Sequence, residues 1–431
     1  MKQVLLKTQI ELMKSSFISK YEFQLLVFIE FFIFFYLGNK LEFIVSPLIL
    51  TATSLFIAYK FLIQKNETIP DNANFEVKKI YKLFYILTLI LFGIWAYFVM
   101  LKNPIDIKTS DIIPYINDLY LKRLFNGEFI YNLAPGLGYG NWTPNYLPFH
   151  WLPFAISYYF QFDHRWIVFG TYFIAVYIYL FHFIKAQSQQ DFLIKACLPF
   201  VFLIHILFIQ SDNFAHTVEL LIASYYFILA MFLIKNNVLG KSIGLVITVL
   251  SRYIVVFYIP IALLIELYLN NKKILIQIIL VILMISAFYI IPFLIKDTSI
   301  FFKGAASYDL AALGEWNGQS WQQAHDRPHQ LFQGLGFASW AYSFLNGSLE
   351  HRIYIFKTMM LLITCISILI IGIYFIKNKY KYSLANWHLA SLKVILTIVI
   401  SFSLVPYSYL FWSSIMVSIV MVSKNNINDK I

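Results

Sequence analysis

Apolar residues run through this chain in long unbroken blocks, separated by short basic stretches and by two long polar ones. Blocks with roughly the 17 to 25 residues of a membrane-crossing helix lie near 21 to 37, 41 to 59, 82 to 101, 166 to 184, 192 to 209 and 216 to 234. Others lie near 239 to 252, 253 to 270, 273 to 295, 353 to 376, 388 to 405 and 406 to 422. The pattern predicts an all-α polytopic membrane protein with about twelve transmembrane helices. Residues 239 to 270 hold two blocks with no loop between them, so a tight turn is expected at "LSRYIVV", with Arg252 at the end of a helical pair. The stretch "YLPFHWLPFAISYYF" at 146 to 160 is short and carries Pro148 and Pro153. It reads as a re-entrant or interfacial piece, because irregular backbone at membrane depth needs cover from protein or a watery cavity.

Composition sharpens the class. With 60% hydrophobic, 19% aromatic and 13% charged residues in 431, no single soluble core could hide the apolar surface. The net charge of +11 fits the excess of Lys and Arg in cytoplasmic loops better than it fits nucleic acid, which is not expected as a partner. With the N-terminus inside, about 21 of the 33 basic residues fall on the cytoplasmic side, among them Lys20, Lys60, Lys82, Lys195, Lys241, Lys377, Lys393 and Lys424. Both termini are then cytoplasmic, and the long polar excursions 102 to 165 and 296 to 352 share the outer side. Charges gather at helix ends. Cys197 and Cys365 lie in apolar blocks and suggest packing, not a disulfide framework. The chain divides into residues 1–80 with two extra helices, 81–300 with the first outer loop, and 301–431 with the second.

The outer excursions carry the candidate chemistry. In "DIIPYINDLYLKRLFNGEFIY" the apolar spacing predicts an amphipathic surface helix, with Ser110 or Asp111 as N-cap and Pro114 in the first turn. Asp111 and Asp118, seven residues apart on roughly one face, are carboxylates at a membrane boundary, where charge is costly and tends to have a task. Either can serve as a base, and Tyr115 lies between them. Arg252 is the cation that topology brings to the same side, and Asp212, Asn213 and His216 of "QSDNFAH", at the outer end of the preceding helix pair, either border a cavity there or make a wet loop between two helices. In "GEWNGQSWQQAHDRPHQLFQGLGFASW", Trp316, Trp321, His325, Arg327, His329 and Gln330 resemble a carbohydrate-handling loop, since aromatic faces stack on sugars while amides and charges meet hydroxyls. Pro328 interrupts any helical pairing of His325 with His329, so no metal and no cofactor are expected.

The order "SD…PY…RLFNGEFIYN", then "NYLPFHWLPF", is similar to the first outer loop of GT-C superfamily membrane glycosyltransferases, notably the polyprenol-phosphate-dependent mannosyltransferase-like group. Residues 209 to 265, from "IQSDNFAHTVELL" to "LSRYIVVFYIPIALLI", resemble that group's polar break, basic hairpin and single cation before an apolar run. Two departures stand out: Arg252-Tyr253 replaces a lysine-proline-like pair, and the tyrosine-double-proline pattern is spread over Tyr146, Pro148 and Pro153.

The resemblance, over roughly 82 to 300, implies a GT-C-like core and inverting transfer of a sugar from a polyprenol-phosphate-linked donor. The acceptor would be a glycan, lipid or protein at the outer face, as in cell envelope glycan assembly. Asp111 would be the general base with Asp118 in reserve, and Arg252 and His216 would meet the donor phosphate. Tyr115, Tyr146, His150, Trp316, Trp321, His325, Arg327, His329 and Gln330 would contact substrate. A transporter or flippase for a lipid-linked glycan intermediate ranks second. It would show broken helices in two matching halves and ionisable groups at mid-membrane, and no internal repeat is evident. An acyltransferase would need a histidine base in an apolar run, and only His205 qualifies.

Overall fold

Apolar blocks without helix breakers satisfy their own backbone polar groups by winding into helices, the form that lipid demands. The computed structural model describes residues 21–37, 45–64, 79–107, 110–134, 143–184, 186, 188–235, 237–268, 273–318 and 327–424. Among the described residues the chain is all-helical, with no β-strand. In chain order the helices are α1 (21–37), α2 (Val45–Ile63), α3 (Ile80–Lys102), α4 (113–125), α5 (148–160), α6 (Arg165–Phe183), α7 (Gln189–Ile209) and α8 (Ser211–His216). They continue with α9 (Glu219–Ile234), α10 (Val238–Val249), α11 (Tyr253–Tyr268), α12 (Ile274–Leu294) and α13 (Ile300–Trp316). The series ends with α14 (Ala338–Phe344), α15 (Leu349–Asn378), α16 (Leu384–Ser401) and α17 (Ser408–Ser423). Seven of these, α2, α3, α6, α7, α12, α15 and α16, are long and apolar enough to cross a membrane, while α9, α10, α11 and α17 are shorter apolar helices. The molecule is therefore built as an integral membrane protein.

The α9, α16 and α17 helices are mostly apolar and are buried on nearly every face, so they form the centre. In α16, 89% of the apolar window is buried, against 22% in α3, 11% in α12 and 17% in α15. Those last three present Ile, Leu and Phe outward as a lipid-facing belt. Cys365, on α15, is exposed there and is not the packing residue its apolar surroundings suggested. One hydrophobic cluster runs from Val27 to Val422, so α1 and α2 share the core with the C-terminal helices.

Two sequence expectations about charge are corrected. Ionisable residues are not confined to helix ends: Glu30 in α1 and Lys393 in α16 form an ion pair with side chains 1% and 0% exposed. Ser54 and Ser418 donate to the same carboxylate, and Lys393 also donates to Ser414. A charge so deep needs a partner, and this partner lies 363 residues away, beyond any local pattern. Nearer helix ends but also buried, Lys195 pairs with Asp191, and Lys241 with Glu266, which also meets His388. Lys195, Lys241, Lys393 and the buried Lys424 are thus not the loop charges the orientation rule counts.

The Lys241–Glu266 pair joins the start of α10 to the end of α11, so the two helices are antiparallel and Arg252 sits in the tight turn at their opposite end. Both excursions meet at that end. A Cβ on Gly304 of α13 would stand 3.3 Å from the Asn145 side chain, which places the second excursion against the first. Residues 402–407 break the path between α16 and α17, and the second excursion covers the break. The Trp316 Nε1–H donates to Leu404 O at 2.8 Å and the Phe337 N–H to Ser401 O at 2.8 Å. The α5 segment is itself broken and too short to span. Its Phe149 N–H donates to Leu250 O at 2.9 Å, and Trp151 and Phe154 are buried.

Candidate functional site

The site is assembled where helix ends converge. Arg165, at the start of α6 and 3% exposed, donates to Asn103 O at 2.7 Å, Ala215 O at 3.2 Å and Met100 O at 3.2 Å, and pairs with Asp163 at 2.6 Å. It thereby ties the end of α3 to α8. The next residue, His216, accepts the Asp111 N–H on its carbonyl at 2.9 Å. Its ring Nδ1 lies 3.3 Å from Ser110 Oγ, which also accepts the Asp106 N–H at 3.1 Å. Neither Ser110 nor Asp111 is the N-cap that the sequence suggested. The α4 helix starts at Ile113 behind Ile112, with no side-chain cap, because Ser110 Oγ is engaged by Asp106 and His216.

The Asp111 carboxyl is thus held by its backbone and lies in the field of Glu219, Arg252 and Glu315. Burial raises its proton affinity most, Glu219 and Glu315 raise it further, and Arg252 opposes them, so the proton leaves at about pH 7 instead of 3.8. Arg252 precedes the first turn of α11 in extended backbone and gives one Nη2–H to the Glu219 carboxylate at the head of α9. Its Nε–H is buried and has no partner among the described residues. The guanidinium lies 5.9 Å from the Tyr409 ring centroid, and Tyr146, Tyr308 and Tyr226 are also within its electrostatic reach. Arg252 is deep but not sealed: 22% of its side chain is accessible against 4% for Glu219. Part of the guanidinium side chain is therefore reachable from outside.

Tyr146 is fixed from both sides. Its N–H donates to the Tyr120 hydroxyl at 3.1 Å, and its carbonyl accepts from Tyr131 at 2.9 Å. Its ring lies 4.2 Å from that of His150. Burial and the charge of Arg252 hold the His150 imidazole at about 3, against a weaker pull from the Ser251 backbone, so His150 is neutral. From the second excursion, Glu315 Oε1 accepts the Tyr407 hydroxyl at 3.0 Å while Oε2 is buried without a partner among the described residues.

The structure brings together Asp111, Arg252, Tyr146 and His150, with buried Tyr115 feeling the Asp111 charge and His216 supporting its backbone. Asp118 is elsewhere. The backbone winds wider through 116–121, so Asp118 is exposed, bonded to Asn117 at 2.7 Å, and faces a separate hollow of about 620 Å³ with Tyr158, Asp163 and His164. The shared face expected for Asp111 and Asp118 is thereby overturned. Trp316 is fully buried against Tyr342 and Phe356 and offers no face to a sugar. Arg327 and His329 are exposed, with Arg327 5.6 Å from the Phe332 ring centroid, and Gln330 accepts from Gln333 at 2.7 Å. Trp321 and His325 lie outside the described residues. His205 is buried 3.5 Å from the Phe35 ring.

Glu219, Glu315, Tyr308, Tyr407 and Tyr409 were not anticipated. Glu219 carried a usable signal, a carboxylate heading an apolar block at the same end as Arg252. Among the described residues no three His, Cys, Asp or Glu side chains are grouped to hold a metal ion. Chemically, the site offers a carboxyl that exchanges its proton near neutrality and a guanidinium with one unpartnered N–H among the described residues. No family model, curated protein or solved structure matches this chain.

Proposed function

We propose that the chain is an inverting glycosyltransferase of GT-C type, moving a sugar from a polyprenol-phosphate donor to an acceptor at the non-cytoplasmic face. In this reading it crosses the membrane about twelve times with both termini in the cytoplasm. Asp111 takes the acceptor hydroxyl proton as that oxygen attacks the anomeric carbon. The bond from that carbon to the donor phosphate oxygen breaks, and the open edge of Arg252 receives the phosphate charge. The observation that carries the reading is that Asp111 lies in the field of Arg252, which comes from a segment 141 residues away in sequence.

The runner-up, a transporter or flippase for a lipid-linked glycan, gains from the mid-helix pair Glu30–Lys393. Both Glu30 oxygens already accept from Ser54, Lys393 and Ser418, so that pair has the character of a staple more than of an ion path.

Membranes holding the protein, incubated with a panel of polyprenol-phosphate sugars, should consume one of them. Asp111→Asn should lose about 10²–10⁴-fold in rate with folding and insertion intact, while Arg252→Ala should chiefly weaken donor binding. Undiminished turnover by the Asp111→Asn protein would remove Asp111 from the mechanism. Consumption of no donor by the wild type would remove the transferase reading.

A further inference from the structure

Resting on the transferase reading, we infer that Glu315 accepts hydroxyl groups of the bound sugar, and so makes the second excursion the part of the molecule that selects a phosphate-linked polyol. The α13 helix delivers this carboxylate in its last turn, beside Trp316, whose ring is buried and whose Nε1–H is anchored on Leu404 O. Tyr407, from the 402–407 break, fixes one carboxylate oxygen at 3.0 Å. The other oxygen is buried with no donor among the described residues. A buried acceptor left empty is unfavourable, and a donor arriving with the ligand accounts for its presence in the field of Asp111, which Glu219 already shares.

The unfilled atoms have a pattern. Arg252 Nε–H needs an acceptor, whereas Glu315 Oε2 and Asn145 Oδ1 need donors. Asn145 touches α13 at Gly304 and adjoins Tyr146, which feels both Asp111 and Arg252. An anionic oxygen answers the first need and vicinal hydroxyls answer the others. Glu315 is negatively charged when ionised, so it repels phosphate and suits the sugar end of the donor.

The test uses the full chain in lipid nanodiscs, with a short polyprenyl phosphate and its glycosylated forms as probes. The wild type should bind at least one glycosylated lipid more tightly than the bare lipid phosphate. Glu315→Gln, which retains an acceptor for Tyr407, should bind the bare phosphate as the wild type does and lose about tenfold or more of affinity for the glycosylated form. If the sugar-dependent gain survives in Glu315→Gln, or both probes weaken equally, Glu315 has no such role while the transferase reading stands. If the wild type binds neither probe, the transferase reading and this inference fall together.

Discussion

A carboxyl that gives up its proton near pH 7 has a direct kinetic consequence at Asp111. Below about 7 it holds its proton and cannot accept another, and above that it is ionised and competent. In the proposed reaction, transfer rate should therefore climb as pH rises through about 7 and level off beyond, and initial rates across that range check it. A flat profile would contradict the assignment. His150 does not contribute, because its imidazole stays neutral throughout. Asp111 and Arg252 were legible in the sequence because each sets a charge where apolar pattern begins or ends. Glu219 offers the same signal at the head of an apolar block, whereas Glu315 offers none, since what makes it matter is Tyr407, brought by a distant segment.

At the scale of elements, the junction between the second excursion and the 402–407 break has no slack. A Cβ on Gly336 would stand 2.5 Å from Pro406 Cβ and 2.9 Å from Ser401 O, neither of which can swing away. Gly336→Ala should destabilise the protein by about 1–3 kcal/mol, measured by denaturant unfolding in detergent, and should lower the proposed transfer because Tyr407 lies in the break and Tyr409 just beyond it. Unchanged stability would show that the break can move. The long apolar helices and the α10–α11 hairpin could be read from pattern alone. The α13 helix could not: the aromatic and amide residues around Trp316 suggest a carbohydrate-handling loop, whereas the Trp316 ring is buried and its Nε1–H is anchored on Leu404 O. The wider turn in α4 was equally hidden, and it separates Asp118 from Asp111.

For the whole molecule, the Glu30–Lys393 pair joins the first helix to the C-terminal core. Lys393→Met alone leaves a buried carboxylate without its cation and should cost about 3–5 kcal/mol, whereas Lys393→Met with Glu30→Leu should recover most of that loss. Unfolding of the two variants decides the matter, and simple additivity would break the proposed coupling. The count of crossings was less legible than the class, because α9, α10, α11 and α17 are shorter than a bilayer's apolar thickness requires on their own.

The Arg165 staple grips main-chain oxygens at positions 100, 103 and 215, which every amino acid supplies alike. Evolutionary drift at those three positions leaves the clamp intact, while position 165 itself tolerates no exchange, since a lysine ammonium cannot span two helices with a planar fork. Exchange at 100 and 215 would thus be limited by the packing of the buried Met100 and Ala215 and not by the clamp, whereas exchange at 165 would remove the clamp itself.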